Sequence, residues 1–160
     1  MDEPNIPHDR SAIPDAFDVS VVLELPPHGG VGGEVIGVVV ADAVQGGTIR
    51  RDAKGEQIVR PGFRVRLHED EAESYYMNLT AERPSIFVIC RQDEGGRFEP
   101  ALVTLSYDEA SSYMEVEDAV FSVPLPPELY RWMESFVLEH YVPEPKKKRR
   151  LENWKHKDSG

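Results

Sequence analysis

The sequence predicts an α+β domain made mainly of antiparallel strands, a small barrel or sandwich of six to seven strands with one C-terminal amphipathic helix. Three observations predict this class. Short segments rich in β-branched residues alternate with turns that contain Gly, Pro and Asp. One segment, residues 127–140, has the period of a helix with a single apolar face. A chain of 160 residues is long enough for one such core and short for two.

Two strands and a loop are predicted in the N-terminal third of the chain. The segment "FDVSVVLEL" begins at Phe17, is rich in β-branched residues and is ended by Pro26, as expected of a first strand. The segment "EVIGVVVADAV" is almost wholly apolar, which predicts a second strand that is buried on both faces. The glycine-rich residues 45–62 predict a mobile surface loop with at most a short strand at residues 57–60.

An acidic motif follows the segment "FRVRLHE", whose apolar and charged residues alternate as in a half-exposed strand. The motif has the form D-E-A-x-S-Y, starts at residue 70 and recurs 38 positions later in "DEASSYM". For the first copy we predict a hairpin that turns through residues 70–72, where water solvates the acids. The return strand of this hairpin would carry Tyr75, Met77 and Leu79 on one face.

The second copy of the motif has a different predicted structure. Ser106 and Glu109 stand in the S-x-x-E relation of a capping box, which predicts a short helix that starts at Ser106. Upstream, "SIFVICRQ" and "FEPALVTLS" flank the loop "DEGGR" and predict an antiparallel hairpin. The two motifs therefore serve different turns, and an internal repeat is disfavoured because repeat folds need about three units.

The C-terminal helix is the clearest predicted element. It follows a short strand, "AVFSVPL", and it opens at Pro126 and Pro127, where missing amide donors do no harm. Its apolar stripe consists of Leu129, Trp132, Met133, Phe136, Val137 and His140. A pleckstrin-homology-like order of strands and helix fits this pattern.

Candidates for acid–base or metal chemistry lie near the first acidic motif: His68, Asp70, Glu71, Glu73 and Tyr75. Consecutive acids on a turn usually point into water, so the solvated turn is the favoured interpretation. The five histidines lack zinc-ligand spacing, and the single cysteine, Cys90, lies in an apolar strand that should make its thiol inert. The glycine-rich "HGGVGGE" lacks a nucleotide-binding pattern, so we predict no cofactor.

The charge distribution divides the chain into three parts. We predict a disordered leader at residues 1–16, one globular domain at 17–142 and a basic tail at 143–160. Residues 146–160 hold seven Lys or Arg and two acids, whereas the other 145 residues hold 11 basic and 27 acidic residues, a net charge of −16. One cysteine, no export signal and no run of 18 apolar residues predict a cytoplasmic protein without a membrane span.

Several blocks of the chain resemble an uncharacterised proteobacterial family encoded in gene clusters of molybdenum-dependent formate dehydrogenase. These blocks are "FRVRLHEDEAESYYMNLTAERPSIFVICRQDE", "PALVTLSYDEASSYM", "VPLPPEL" and "FVLEHYVPEPKKKRR". The resemblance implies an association with formate dehydrogenase or with the chaperones that mature redox enzymes. It implies no catalytic residues.

Three functions remain open from the sequence. The first is a non-enzymatic accessory or protein-interaction module for formate dehydrogenase or its maturation, and the second is nucleic-acid or acidic-surface binding through the basic tail. The third is a small enzyme that uses Asp70, Glu71 and His68. For the first function we predict a contact surface made of two segments: His68, Asp70, Glu71, Tyr75 and Tyr76, together with Lys146, Lys147, Lys148, Arg149 and Arg150.

Overall fold

A computed structural model describes residues 14–40, 45–116 and 118–142. This part of the chain forms seven strands and three α-helices. The strands are β1 (Ala16–Leu25), β2 (Glu34–Val40), β3 (Gly47–Asp52), β4 (Gly55–Arg66), β5 (Ser85–Gln92), β6 (Phe98–Thr104) and β7 (Ala119–Pro124). The helices are α1 (Ala72–Leu79), which follows one turn of 3₁₀ helix at Glu69–Glu71, α2 (Tyr107–Glu115) and α3 (Pro127–His140).

The strands form two antiparallel sheets. Four strands pair in the order β2-β1-β4-β3, and three pair in the order β6-β5-β7. The predicted class, mainly antiparallel α+β, is confirmed, and the two sheets agree coarsely with a sandwich. The described strands do not close into a barrel. No described helix is both long enough and apolar enough to cross a membrane.

Four predicted elements are confirmed close to their predicted bounds. These are the first strand β1, the β5–β6 hairpin, the last strand β7 and the helix α3. In the hairpin loop, the Asp93 carboxylate accepts hydrogen bonds from the backbone N–H groups of Gly95 (2.9 Å) and Arg97 (3.0 Å). This side chain therefore holds the turn that the "DEGGR" pattern predicts.

The prediction of a loop at residues 45–62 is wrong, because this segment supplies β3 and the first half of β4. The strand β4 pairs with β1 on both sides of Pro61–Gly62, from Ala16 opposite Arg66 to Leu25 opposite Glu56. The pair Pro61–Gly62, at the end of the predicted loop, lies where the pairing register shifts between Val19 and Val21. A bulge admits a proline without loss of the ladder on either side.

The prediction that the second strand is buried on both faces is also wrong. The strand β2 lies at the edge of the four-stranded sheet, and only Val35 among its residues is buried. Its neighbours Ile36 and Val39 are exposed. An apolar run fits an edge strand as well as a central one, so composition alone could not decide its position.

The prediction of a hairpin after residue 70 is wrong, because the chain forms the helix α1 there. Ala72, Tyr75 and Leu79 are buried at the helical spacing i, i+3, i+7, and Met77 points into solvent. Met77 therefore does not share a face with Tyr75 and Leu79. Three acids, Glu69, Asp70 and Glu71, precede the helix in the 3₁₀ turn, where the positive end of a helix dipole favours carboxylates.

One hydrophobic core joins both sheets to α1 and α3. Within α3, the predicted stripe is confirmed for Leu129, Trp132, Met133 and Val137, which are buried, while Phe136 is partly buried and His140 is exposed. The Trp132 ring packs edge-on against Phe17 with centroids 4.7 Å apart, and its indole N–H donates to the Pro14 carbonyl at 2.8 Å. These contacts fix α3 against the start of β1.

A buried ion pair links the two sheets. Glu56 on β4 is buried and accepts hydrogen bonds from Arg97 at 2.9 Å and from Arg51 Nε at 2.7 Å. The Arg97 guanidinium also donates to the Pro26 carbonyl at 2.9 Å. The hydrogen bonds from Arg97, and then those from Arg51, lower the pKa of the Glu56 carboxyl below its ordinary value.

We expect Glu56→Gln to make the protein less stable at neutral pH, and this deficit to shrink in acid. The folded-state pKa of Glu56 is lowered, so its stabilising contribution is full above its ordinary pKa of 4.5 and is lost as pH falls through the folded value. The measurement is the urea midpoint of both proteins at about pH 7 and about pH 3. Glu34→Gln, at an exposed position, is the control; a Glu56→Gln deficit that persists unchanged in acid would contradict the assignment.

Candidate functional site

The two D-E-A motifs meet where α1 and α2 begin. The Ser106 hydroxyl donates a short hydrogen bond to the Glu71 carboxylate and lies 3.2 Å from the Ser74 hydroxyl. The Ser74 hydroxyl in turn accepts from the backbone N–H of Asp108 at 3.2 Å. The first motif therefore contributes Glu71 and Ser74 to the start of the helix that contains the second motif.

The predicted helix start at Ser106 is confirmed. Its hydroxyl accepts the backbone N–H of Glu109 at 3.0 Å, which is the N-cap bond. The Glu109 carboxylate accepts from the Thr104 hydroxyl at 2.6 Å, and that hydroxyl accepts the backbone N–H of Ser106 at 3.1 Å. Thr104 thus takes the N–H that the glutamate of a capping box usually accepts.

These hydrogen bonds give both D-E-A motifs a structural role. Ser74, Thr104 and Ser106 are buried and hydrogen-bonded to one another or to the two glutamates. Buried polar groups need such partners, because an unpaired one costs about 1–3 kcal/mol. The network therefore joins α1 to α2 and uses the carboxylate of Glu71, one of the predicted acid–base candidates.

Tyr75 belongs to the core and is not part of an exposed contact surface. Its hydroxyl accepts the backbone N–H of His68 at 3.0 Å, and its ring packs edge-on against Phe136 with centroids 5.8 Å apart. Burial raises the pKa of Tyr75 to about 12. The hydroxyl is thus held neutral, and it anchors the segment between β4 and α1.

His68 and Asp70 are exposed at the start of α1, while Glu71 turns towards Ser106. Glu69, one residue after His68, lies 3.7 Å from the ring of His140 in the last turn of α3. The His140 ring also packs against Phe136 at a tilt of 40°, with centroids 4.3 Å apart. The acidic start of α1 and the C-terminal end of α3 are therefore neighbours.

A second junction between α1 and α3 is aromatic and partly exposed. The rings of Tyr76 and Tyr141 stack with centroids 4.9 Å apart and planes 30° apart. Three exposed apolar residues lie close to this pair in the chain: Met77 and Val142 each follow one tyrosine, and Leu138 lies in the last turn of α3, three positions before Tyr141. We call Tyr76, Met77, Leu138, Tyr141 and Val142 the helix patch.

The apolar members of the helix patch are highly exposed. The exposed fractions are 59% for Met77, 80% for Leu138 and 78% for Val142. Single exposed apolar residues are common on protein surfaces, whereas a larger group of them marks a contact surface. Tyr76 is among the residues predicted from the sequence, whereas Met77, Leu138 and Val142 are not. Met77 was predicted to share one face of a strand with Tyr75 and Leu79.

The remaining candidates from the sequence are the Cys90 thiol, a metal site and the basic residues after Val142. Cys90 is fully buried in the central strand β5, and burial raises the pKa of its thiol to about 12. Within residues 14–40, 45–116 and 118–142, no three His, Cys, Asp or Glu side chains are grouped to hold a metal ion. The predicted contact residues Lys146, Lys147, Lys148, Arg149 and Arg150 lie outside the described residues.

The fold and the helix patch define a mainly antiparallel α+β domain with an exposed apolar surface on its helices. A family described as "Protein of unknown function (DUF3305)" matches residues 32–150, and the chain belongs to this family. Neither the comparison with curated proteins nor that with solved structures gave a match. The expected membership of an uncharacterised family is confirmed, and its link to formate dehydrogenase gene clusters stays a prediction.

Proposed function

We propose that the protein is a non-enzymatic interaction module that contacts another protein through the helix patch. The observation that carries this proposal is the exposure of Met77, Leu138 and Val142, which lie close in the sequence to the stacked Tyr76–Tyr141 pair that joins α1 to the end of α3. Tyrosine and methionine are enriched in protein interfaces, where their apolar surface is removed from water. The stacked pair supplies a rigid centre for such a contact, so little conformational entropy is lost there on binding.

Polar residues at the start of α1 supply the rim of the proposed contact. His68, Glu69 and Asp70 are exposed, and Glu69 lies beside the end of α3 that precedes Tyr141. A polar, solvent-accessible rim around an apolar centre is the usual arrangement in a transient interface. Of the residues predicted from the sequence, His68, Asp70 and Tyr76 remain in the proposal. Tyr75 and Glu71 instead hold the helices together.

The proposed partner is a subunit of molybdenum-dependent formate dehydrogenase or a chaperone of its maturation, in the cytoplasm. The resemblance of the sequence blocks to a family encoded beside that enzyme supports this partner.

The pleckstrin-homology-like arrangement also stays a proposal. It is supported by a four-stranded and a three-stranded sheet followed by a C-terminal helix.

We expect the double variant Met77→Glu, Leu138→Glu to reduce the amount of co-purified dehydrogenase at least about ten-fold, because two charges placed in an apolar interface cost about 1.4 kcal/mol or more. The tagged full chain would be expressed with the dehydrogenase, and its subunits would be quantified by mass spectrometry. The control is Ile49→Glu, an equally drastic change at an exposed residue of β3 in the four-stranded sheet.

Three results would count against parts of this proposal. Recovery of no dehydrogenase subunit or chaperone with the unchanged protein would remove the proposed partner. Equal recovery with the double variant would remove the helix patch as the contact. Equal loss with Ile49→Glu would point to a general effect of added charge.

A further inference from the structure

We propose that the helix patch is also the docking site of this chain's own basic segment, residues 146–154, "KKKRRLENW". This intramolecular contact does not depend on the identity of any external partner. It would make the segment a competitor for the surface that a partner uses. Three observations support it: where the described chain ends, the charges at that place, and the apolar residues within the basic segment.

The end of the described chain brings the segment to the patch. Tyr141 ends α3 in an extended conformation, with φ −116° and ψ 128°, and Val142 is the last described residue. Both residues belong to the patch. Lys146 follows Val142 by four residues, which an extended chain spans in at most about 14 Å. The first cation therefore lies no more than about 14 Å from Val142.

The charges around this point are complementary to the segment. The 3.7 Å contact between Glu69 and His140 places the acidic start of α1 beside the end of α3. Glu69 and Glu139 are exposed, as are Asp70 and Glu73 on the same turn and helix. The negative end of the α3 dipole adds to the attraction for cations. The segment begins with five consecutive Lys or Arg residues.

The segment also carries apolar residues that fit an apolar surface. Leu151 and Trp154 follow the cations and are three positions apart. Burial of a tryptophan against Met77 and Leu138 removes apolar area of both partners from water. An ion pair at an exposed surface contributes little binding free energy by itself. The combination of apolar and ionic contacts therefore distinguishes this site from the other acidic surfaces of the domain.

The test is paramagnetic broadening of methionine methyl signals in the full chain. A nitroxide on Asn153→Cys reports on the segment, and the buried, high-pKa thiol of Cys90 resists labelling. The chain holds four methionines, of which Met77 lies in the patch, Met114 is exposed on α2 and Met133 is buried. We expect the Met77 methyl signal to lose more than about half of its intensity, and more than the Met114 signal, at low salt.

Variants that remove acidic charges, and mixtures of differently labelled chains, test whether the broadening comes from this intramolecular contact. Glu69→Gln, Asp70→Asn, Glu73→Gln in one chain, or about 0.5 M salt, should restore the Met77 signal, while an unchanged Met133 shift reports an intact core. Equal broadening of Met77 and Met114, or broadening that survives the triple variant, would overturn the proposal. Broadening in a mixture of nitroxide-labelled and isotope-labelled chains would instead assign the site to a second copy. Failure of this test leaves the co-purification result unaffected.

Discussion

Leu129→Ala is expected to remove about 2–5 kcal/mol from the free energy of unfolding, the largest effect of any single change considered. Leu129 is completely buried in the first turns of α3, within the core that joins this helix to both sheets. Truncation removes buried methyl groups and leaves a cavity that the surrounding strands fill only in part. Because domains of this size are stable by about 5–15 kcal/mol, the loss is a large fraction of the total.

The chain offers a matched control on the same helix. Leu138 is 80% exposed, so Leu138→Ala should change the free energy of unfolding by no more than about 0.5 kcal/mol. Both variants would be unfolded in urea and followed by circular dichroism, which reports the loss of helix and sheet. Similar losses for the two leucines would contradict the assignment of the buried face of α3.

Ser106→Ala is expected to cost about 1–3 kcal/mol, since it removes an N-cap and a charge-assisted hydrogen bond together. The serine hydroxyl accepts the backbone N–H of Glu109 and donates to the carboxylate of Glu71. Its removal leaves the first turn of α2 without its cap and removes the hydrogen bond from α2 to Glu71, while the bond between Asp108 N–H and Ser74 remains. The measurement is the urea midpoint, together with amide hydrogen exchange in α2, which should become faster.

Two further variants separate the cap from the link between the helices. Ser112→Ala, on the exposed side of the same helix, should change stability by no more than about 0.5 kcal/mol. Ser106→Asp retains an N-cap acceptor but places a second carboxylate beside Glu71, so it should also destabilise the protein. Addition of Glu71→Gln, whose amide can donate, should recover part of this loss. Full stability of Ser106→Asp alone would show that only the cap matters.

The strands and helices that were predicted correctly have strong local signals. Ser106 and Glu109 at capping-box spacing predicted α2, and Pro127 with the apolar stripe predicted α3. Similarly, glycines between two apolar runs predicted the β5–β6 hairpin. In α2 and in the hairpin, local side chains also satisfy backbone groups, because Ser106 caps α2 and Asp93 accepts two N–H groups of the turn.

The errors lie where a distant partner decides the conformation. "AESYYMNL" alternates well enough for a strand, yet it forms α1 because Tyr75 packs on Phe136 of α3 and Ser74 on the start of α2. The segment with Pro61 joins β4 because β1 pairs with it on both sides of the bulge. Tertiary packing outweighs local propensity in both segments, since propensity differences are below about 1 kcal/mol per residue.

The fold and the helix patch differ in how far the sequence determines them. By itself the sequence determined that the chain folds as one β-rich domain with an amphipathic last helix, because periodicity and capping act over a few residues. Only the tertiary structure brought Glu71 to Ser106, and Tyr76 to Tyr141, across 35 and 65 positions of the chain. Such contacts depend on how sheets and helices pack. The linear pattern of residues does not indicate which residues, far apart in the sequence, will lie together.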